Sequence, residues 1–245
     1  MRFSPDETRR YARHLVLKGM GGRGQQALKG ASALIVGAGG LGSPAIAYLA
    51  AAGIGRLGIV DNDIVALSNL QRQIVHGTAS IGAPKAQSGI AFANSLNPHV
   101  QTSAHQLRLD ADNVDALLLG YDLVLDGSDN FLTRAMVAGA AERAHKPLVC
   151  GAVSGFDGQL SVIAPHLMRP DGRPFPTFAD LYPVNSDDAD LPSCEQNGVL
   201  GPLTGVIGAL MAMEAIKLIT GIGKPLLGRL MLYDGRDGRF TELSY

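Results

Sequence analysis

Ala33-Leu34-Ile35-Val36-Gly37-Ala38-Gly39-Gly40-Leu41-Gly42 is the stretch whose reading decides the fold. Its four leading apolar residues read as a short buried strand. Gly37, Gly39 and Gly42 then complete a G-x-G-x-x-G turn, and the alanine-rich segment 41–52 reads as the helix that the turn opens. A second apolar run, Leu57-Gly58-Ile59-Val60, ends in Asp61, 19 residues after Gly42. Glycines at these positions let backbone N–H groups approach a phosphate at a helix N-terminus, while an acid at the end of the next strand can accept from ribose hydroxyls. The motif predicts nucleotide binding and leaves the nucleotide open, NAD included.

Outward from this unit, strands and helices alternate. Helices are expected over 84–96, 110–119 and 131–144, with strands over 100–106, 122–125, 147–150 and 159–164. Such alternation indicates βαβ units, right-handed crossovers and a mainly parallel sheet. Before the first strand, Ser4-Pro5-Asp6-Glu7 forms a capping box for a helix expected to run to Lys18, and a short helix is expected over 24–29. After the last parallel strand the pattern breaks. Residues 165–202 hold seven of the 13 prolines and the acidic run Asp187-Asp188-Ala189-Asp190, which reads as a long loop: a functional lid, a binding loop or a disordered segment. A helix over 203–219 follows, stopped by Gly221. The tail 229–243 alternates around Asp234-Gly235-Arg236-Asp237-Gly238 and reads as an antiparallel hairpin. The expected class is therefore α/β: a doubly wound, mainly parallel sheet with an antiparallel C-terminal extension and N-terminal helices.

Composition narrows the function. Of 245 residues, 46% are hydrophobic and 18% charged, which excludes disorder over most of the chain. Tryptophan is absent, aromatics reach only 5% and the formal net charge is -1, so neither a base-stacking platform nor a field directed at nucleic acid or an anionic membrane is expected. Two cysteines, Cys150 and Cys194, make no disulfide framework and cannot supply a four-cysteine zinc site. The N-terminus carries no apolar leader, and the most apolar stretch, 205–220, is interrupted by Glu214 and Lys217. No membrane span is expected, and a reduced cytoplasmic location follows as the default.

Two further clusters carry chemistry. Ser68-Asn69-Leu70-Gln71-Arg72-Gln73 lies in a polar loop after the second strand, and Lys85 opens the next helix. A triphosphate recruits Arg, Lys and Mg²⁺ more than a dinucleotide does, so the pair Arg72 and Lys85 points to a triphosphate; solvated surface charges are the ordinary alternative. Asp126-Gly127-Ser128-Asp129-Asn130 follows another buried strand. Asp129 there can hold Mg²⁺ beside phosphate oxygens, or cap the helix beginning near Phe131. His14, His76, His99, His105, His145 and His166 are scattered and read as surface or loop residues.

In order along nearly the whole chain stand Arg10-Tyr11-Ala12-Arg13-His14, GAGGLG, Asp61-Asn62-Asp63, SNLQRQ, Lys85, DGSDN, Gly198-Val199-Leu200-Gly201-Pro202 and Met213-Glu214-Ala215-Ile216-Lys217. This series resembles the ThiF/MoeB/HesA family, bacterial relatives of ubiquitin-activating enzymes. The resemblance implies one Rossmann-like adenylation domain over 1–245, with the crossover loop near 165–202. It also implies ATP and Mg²⁺, and adenylation of the C-terminal glycine carboxylate of a small ubiquitin-like sulfur carrier ending in Gly-Gly, in thiamine- or molybdenum-cofactor-type sulfur transfer. Carried over by position, Gly37, Gly39, Gly40, Gly42 and Asp61 bind phosphates and ribose. Ser68, Asn69, Leu70, Gln71, Arg72 and Lys85 form the phosphate-binding segment. Asp129 holds Mg²⁺, and Asp129 and Asn130 complete the nucleotide-binding set. Arg13 matches the family's arginine that reaches into the neighbouring subunit, which implies a homodimer. A cysteine desulfurase or rhodanese is the implied sulfur donor.

Cys194 matches the family's loop cysteine, which attacks the acyl adenylate in some members and is dispensable in others. Cys150 reads as an inert buried thiol. Many members bind zinc through two C-x-x-C pairs. Here Phe175 and Phe178 stand at the first pair's spacing and no second pair follows the final strand, so no structural zinc is expected and packing of the two phenylalanines is the expected substitute. Three other readings remain: adenylation of a tRNA-base or peptide carboxylate within the same family, an NAD-dependent oxidoreductase, and a non-catalytic scaffold.

Overall fold

In the structure, a computed structural model, residues 3–183 and 198–245 are described. The chain enters through the expected capping box. The Glu7 N–H donates to Ser4 Oγ at 3.1 Å and the Ser4 N–H donates to Glu7 Oε2 at 2.8 Å, starting α1 (Pro5–Arg10). The single helix expected to Lys18 is divided at Tyr11 into α1 and α2 (Ala12–Leu15). Tyr11 is buried at the break, where its hydroxyl accepts from Asn97 Nδ2 at 2.9 Å. A third helix, α3 (Gly21–Gly30), leads into the sheet.

Eight strands form one sheet. They are β1 (Ser32–Val36), β2 (Arg56–Val60), β3 (Gln101–His105), β4 (Leu123–Asp126), β5 (Leu148–Ser154), β6 (Asp157–Ile163), β7 (Arg229–Asp234) and β8 (Arg239–Ser244). Their order is β3-β2-β1-β4-β5-β6-β7-β8; the first five are mutually parallel and the last three continue antiparallel. Helices α4 (Gly42–Ala52), α5 (Lys85–Leu96), α6 (Val114–Leu119), α7 (Phe131–Arg143), α8 (Phe178–Leu181) and α9 (Gly201–Thr220) follow, with short 3-10 turns at Leu67–Asn69 and Thr78–Ser80. The expected class is what forms.

Alternation along β1 explains its uninterrupted apolar run. Ala33 and Ile35 enter one apolar cluster with Ile46, Leu49, Ile207 and Met211 of α4 and α9. Leu34 and Val36 enter the opposite cluster with Val114, Leu118, Val137 and Ala141 of α6 and α7. A strand buried on both faces has no polar face to show. From β1 the chain steps outward through β2 to β3 and then returns to the other flank at β4. That reversal opens a crevice beyond the carboxyl ends of β1 and β4, where open α/β sheets bind ligands.

Helix α9 has the length and mean hydropathy of a membrane span by composition alone, although Glu214 and Lys217 interrupt it. Here it is a core helix. Leu203, Ile207, Met211, Ala212 and Ala215 are buried in the first cluster. Its buried Glu214 pairs with Lys217 and accepts from the Leu226 N–H at 2.9 Å. Phe175 and Phe178 do not form the expected mutual packing. Phe178 is buried, with its ring 5.9 Å from Phe131 and 4.9 Å from Tyr182, whereas Phe175 lies 5.6 Å from the Arg169 guanidinium.

Candidate nucleotide site

Three loops meet at the crevice. Gly37 takes φ +85°, a left-handed conformation that favours glycine, and its N–H donates to Val60 O at 2.9 Å. The Gly127 N–H donates to Val36 O at 2.9 Å, which brings the DGSDN loop beside the glycine turn. At Gly42 a Cβ would run into Gly37 O, so this third glycine serves the close approach of α4 to the turn. Asp61 joins the turn to β2: its Oδ2 accepts from the Ala38 N–H and its Oδ1 from the Asp63 N–H, both at 2.8 Å. Burial pushes the Asp61 carboxyl above the usual range, against the pull of those two backbone hydrogen bonds.

These loops enclose a cavity of about 140 Å³. Of the residues expected from sequence, Gly37, Gly39, Gly40, Asp61, Arg72, Lys85 and Asp129 line it. Lys85 is buried and its Nζ is held 2.9 Å from Asp63 Oδ2, so the ammonium is fixed at the wall. The Arg72 Nη1 donates to Ser68 O at 3.3 Å. Asp129 is exposed at the rim. The cap of α7 is Asn130, whose Oδ1 accepts from the Thr133 N–H at 2.9 Å; Asp129 is thereby left out of capping, and Asn130 lines the adjoining larger cavity rather than this one.

Other expected residues fall outside the lining. Asn69 is buried and its Oδ1 accepts from the Ala66 N–H at 3.0 Å, which shapes the loop that carries Arg72. Ser68, Leu70, Gln71 and Gly42 also do not line the cavity. Gln71 instead packs on Gly201, the first residue of α9. Arg13 is exposed on α2 and does not reach the cavity of its own chain. Cys194 lies outside the described residues. Cys150 is buried and its thiol is pushed up to about 12 by burial, with the Asp126 carboxylate adding to the shift, as expected of an inert thiol.

The structure adds residues that sequence reasoning missed. Gln73 and Ser128 line the cavity, and each carries a buried polar atom, Gln73 Oε1 and Ser128 Oγ, without a hydrogen-bond partner. His76, expected at the surface, is buried. Its Nε2 lies 2.9 Å from Ala38 O and its Nδ1 2.9 Å from Ser88 Oγ. Because the carbonyl can only accept, Nε2 carries the proton and Nδ1 accepts from the Ser88 hydroxyl. Burial lowers the His76 pKa. Asp126 is fully buried, and burial raises its carboxyl pKa; its Oδ1 accepts from the Ser128 N–H at 2.9 Å and its Oδ2 has no partner. Gln73 and His76 had one signal in sequence, their place beside Arg72; nothing in a sequence marked which would turn inward.

A second cavity, of about 910 Å³, adjoins the first, and Asp129, Arg134 and Val153 line both. Among the described residues no group of three or more His, Cys, Asp or Glu could hold a metal ion. The arrangement suits polyanion binding, with the exposed carboxylate of Asp129 at its edge and that of Asp63 paired with Lys85.

A model of the ThiF family matches residues 11–245. The chain belongs to the ThiF family. This ThiF-family chain is 48% identical over 243 residues to the probable adenylyltransferase/sulfurtransferase MoeZ of Mycobacterium tuberculosis, covering 99% of itself and 60% of that protein. It is 45% identical over 244 residues to the sulfur carrier protein adenylyltransferase of Thermus thermophilus, covering 100% of itself and 89% of that protein. It is 42% identical over 247 residues to the SAMP-activating enzyme E1 of Haloferax volcanii, covering 100% of itself and 88% of that protein. The chain thus spans about 60% of the length of the MoeZ relatives. Among solved structures, E. coli MccB with AMPCPP and MccA superposes with a TM-score of 0.82 at 20% identity, over 96% of this chain and 71% of that one. PaaA superposes with a TM-score of 0.81 at 21% identity, over 99% and 74%. These likenesses establish the shared fold.

Proposed function

We propose that this chain is an ATP-dependent adenylyltransferase that activates the C-terminal glycine carboxylate of a small ubiquitin-like sulfur-carrier protein. The observation that carries the reading is the convergence of the glycine turn, Arg72, Lys85 and Asp129 on one cavity, in a chain 45% identical to a named sulfur carrier protein adenylyltransferase over its full length.

The acceptor carboxylate is ionised at neutral pH and needs no general base. One of its oxygens bonds to the α-phosphorus of ATP. The bond from that phosphorus to the bridging oxygen breaks, and pyrophosphate leaves with the electron pair. Arg72 and Lys85 offset charge on the phosphates, and Asp63 keeps the Lys85 ammonium in place. The unpartnered Gln73 Oε1 and Ser128 Oγ are available to ligand groups or ordered water. Asp129 fits Mg²⁺, which uses one or two protein carboxylates and takes its other ligands from phosphate and water. That ion, when bound, neutralises phosphate charge. Asp61 lines the cavity, and each of its oxygens, holding one backbone N–H, has capacity to accept from a ribose hydroxyl as well. A second copy of the chain is the proposed source of Arg13, giving a homodimer, and a desulfurase or rhodanese the proposed sulfur donor.

The test is ATP–pyrophosphate exchange with candidate carriers ending in Gly-Gly. Exchange that requires a carrier supports the reading. ATP binding without exchange for any carrier overturns it.

A further inference from the structure

Adenylation brings a full negative charge, the acceptor carboxylate, to a site that already holds a polyanion and the carboxylates of Asp61, Asp63 and Asp129. A cation is needed where the two anions approach. Lys85 sits at the wall of the small cavity and is paired with Asp63. Arg239 lines the large cavity but not the small one, and its guanidinium lies 3.9 Å from Asp234. Arg134 alone among the described cations lines both cavities.

Its geometry suits a carboxylate. Arg134 Nε and Nη2 donate to Ser128 O at 3.2 and 2.6 Å, so one edge of the guanidinium is anchored to the DGSDN loop. The buried Asp126 carboxylate lies close enough to interact with it electrostatically. An anchored guanidinium still has both Nη1 protons and one on Nη2, an end-on pair of donors that matches the two oxygens of a carboxylate. Preorganisation of this kind lowers the cost of orienting the substrate.

We infer that Arg134 is the residue that receives and orients the acceptor's C-terminal carboxylate at the junction of the two cavities. The inference rests on the adenylyltransferase reading and adds a substrate-positioning residue to it.

The experiment compares wild type, Arg134→Gln and Arg134→Lys in three measurements. The first is ATP·Mg affinity in the absence of acceptor. The second is binding of a short synthetic peptide ending in Gly-Gly, with either a free carboxylate or a carboxamide. The third is pyrophosphate exchange with the carrier that wild type uses. In wild type the free carboxylate is expected to bind about tenfold or more tightly than the amide, the scale of a charge-assisted pair. In Arg134→Gln that preference is lost and the KM for carrier rises, while ATP·Mg affinity stays within about twofold; Arg134→Lys restores part of the preference. A carboxylate preference unchanged in Arg134→Gln overturns the proposal. So does a loss of ATP·Mg affinity with the preference intact, which would make Arg134 only a brace for the DGSDN loop. Absence of carrier-dependent exchange in wild type would instead refute the adenylyltransferase reading.

Discussion

The Asp61 carboxylate takes the backbone N–H of Ala38 at 2.8 Å and so ties the end of β2 to the glycine turn. The same carboxylate holds the Asp63 N–H, and Asp63 in turn holds Lys85. One acid therefore organises both the turn and the cation across from it. Replacing it with alanine leaves two backbone donors without their acceptor, at a cost of about 1–3 kcal/mol where they are buried. Asp61→Ala is expected to weaken ATP affinity by about tenfold or more, as read by isothermal titration; unchanged affinity would show that the turn forms without it.

Asp129 and Asn130 are neighbours with separable duties. Asn130 caps α7, and Asn130→Ala should cost about 1 kcal/mol of stability. Asp129 is exposed and caps nothing, so Asp129→Ala should change stability by less than about 0.5 kcal/mol yet abolish Mg²⁺-dependent exchange. Chemical denaturation and exchange assays on the two variants should give opposite rankings.

His76 makes stability depend on pH. Its pKa in the fold is lowered by burial, so the unfolded chain binds the proton more readily. The contribution is complete above the unfolded value of 6.5 and is lost as pH falls below it. The Tm of wild type is expected to drop more steeply between about pH 7 and pH 5 than that of His76→Gln, which has no titrating group and retains a donor for Ala38 O. Parallel Tm curves for the two proteins would refute this.

Gly42 is a packing glycine. A Cβ there would meet the backbone oxygen of Gly37, which has no flexible end to move aside. Gly42→Ala is expected to destabilise by about 2 kcal/mol or more and to displace α4 from the turn. Gly22, where a Cβ meets nothing, provides the control in the same assay.

Local chemistry was enough for much of this molecule. The apolar run 33–36, the glycine turn, the capping box at Ser4 and the hairpin around Asp234–Gly238 each formed where the sequence indicates, because each depends on neighbours a few residues apart. Boundaries were less legible: the first helix is divided at Tyr11, a buried residue whose hydroxyl accepts from the distant Asn97. The crossover 61–84 was legible as polar and functional, but not in detail. Asn69, Gln71 and Arg72 alternate between roles in the loop, against α9 and at the cavity, and that division is set by what each side chain packs against.

By itself the sequence determined the α/β class, the nucleotide-type turn and the short list of cations and acids near it, because strand–turn–helix periodicity and glycine spacing are local. Only the tertiary structure decided which of those residues meet. The reversal of strand order between β1 and β4 brings Gly37 against Gly127, although 90 residues separate them in the chain. It also turns His76 inward onto Ala38, assigns the α7 cap to Asn130 rather than Asp129, and sets Arg134 between two cavities. Such pairings depend on long-range packing and on the satisfaction of buried donors and acceptors, which a one-dimensional pattern does not encode.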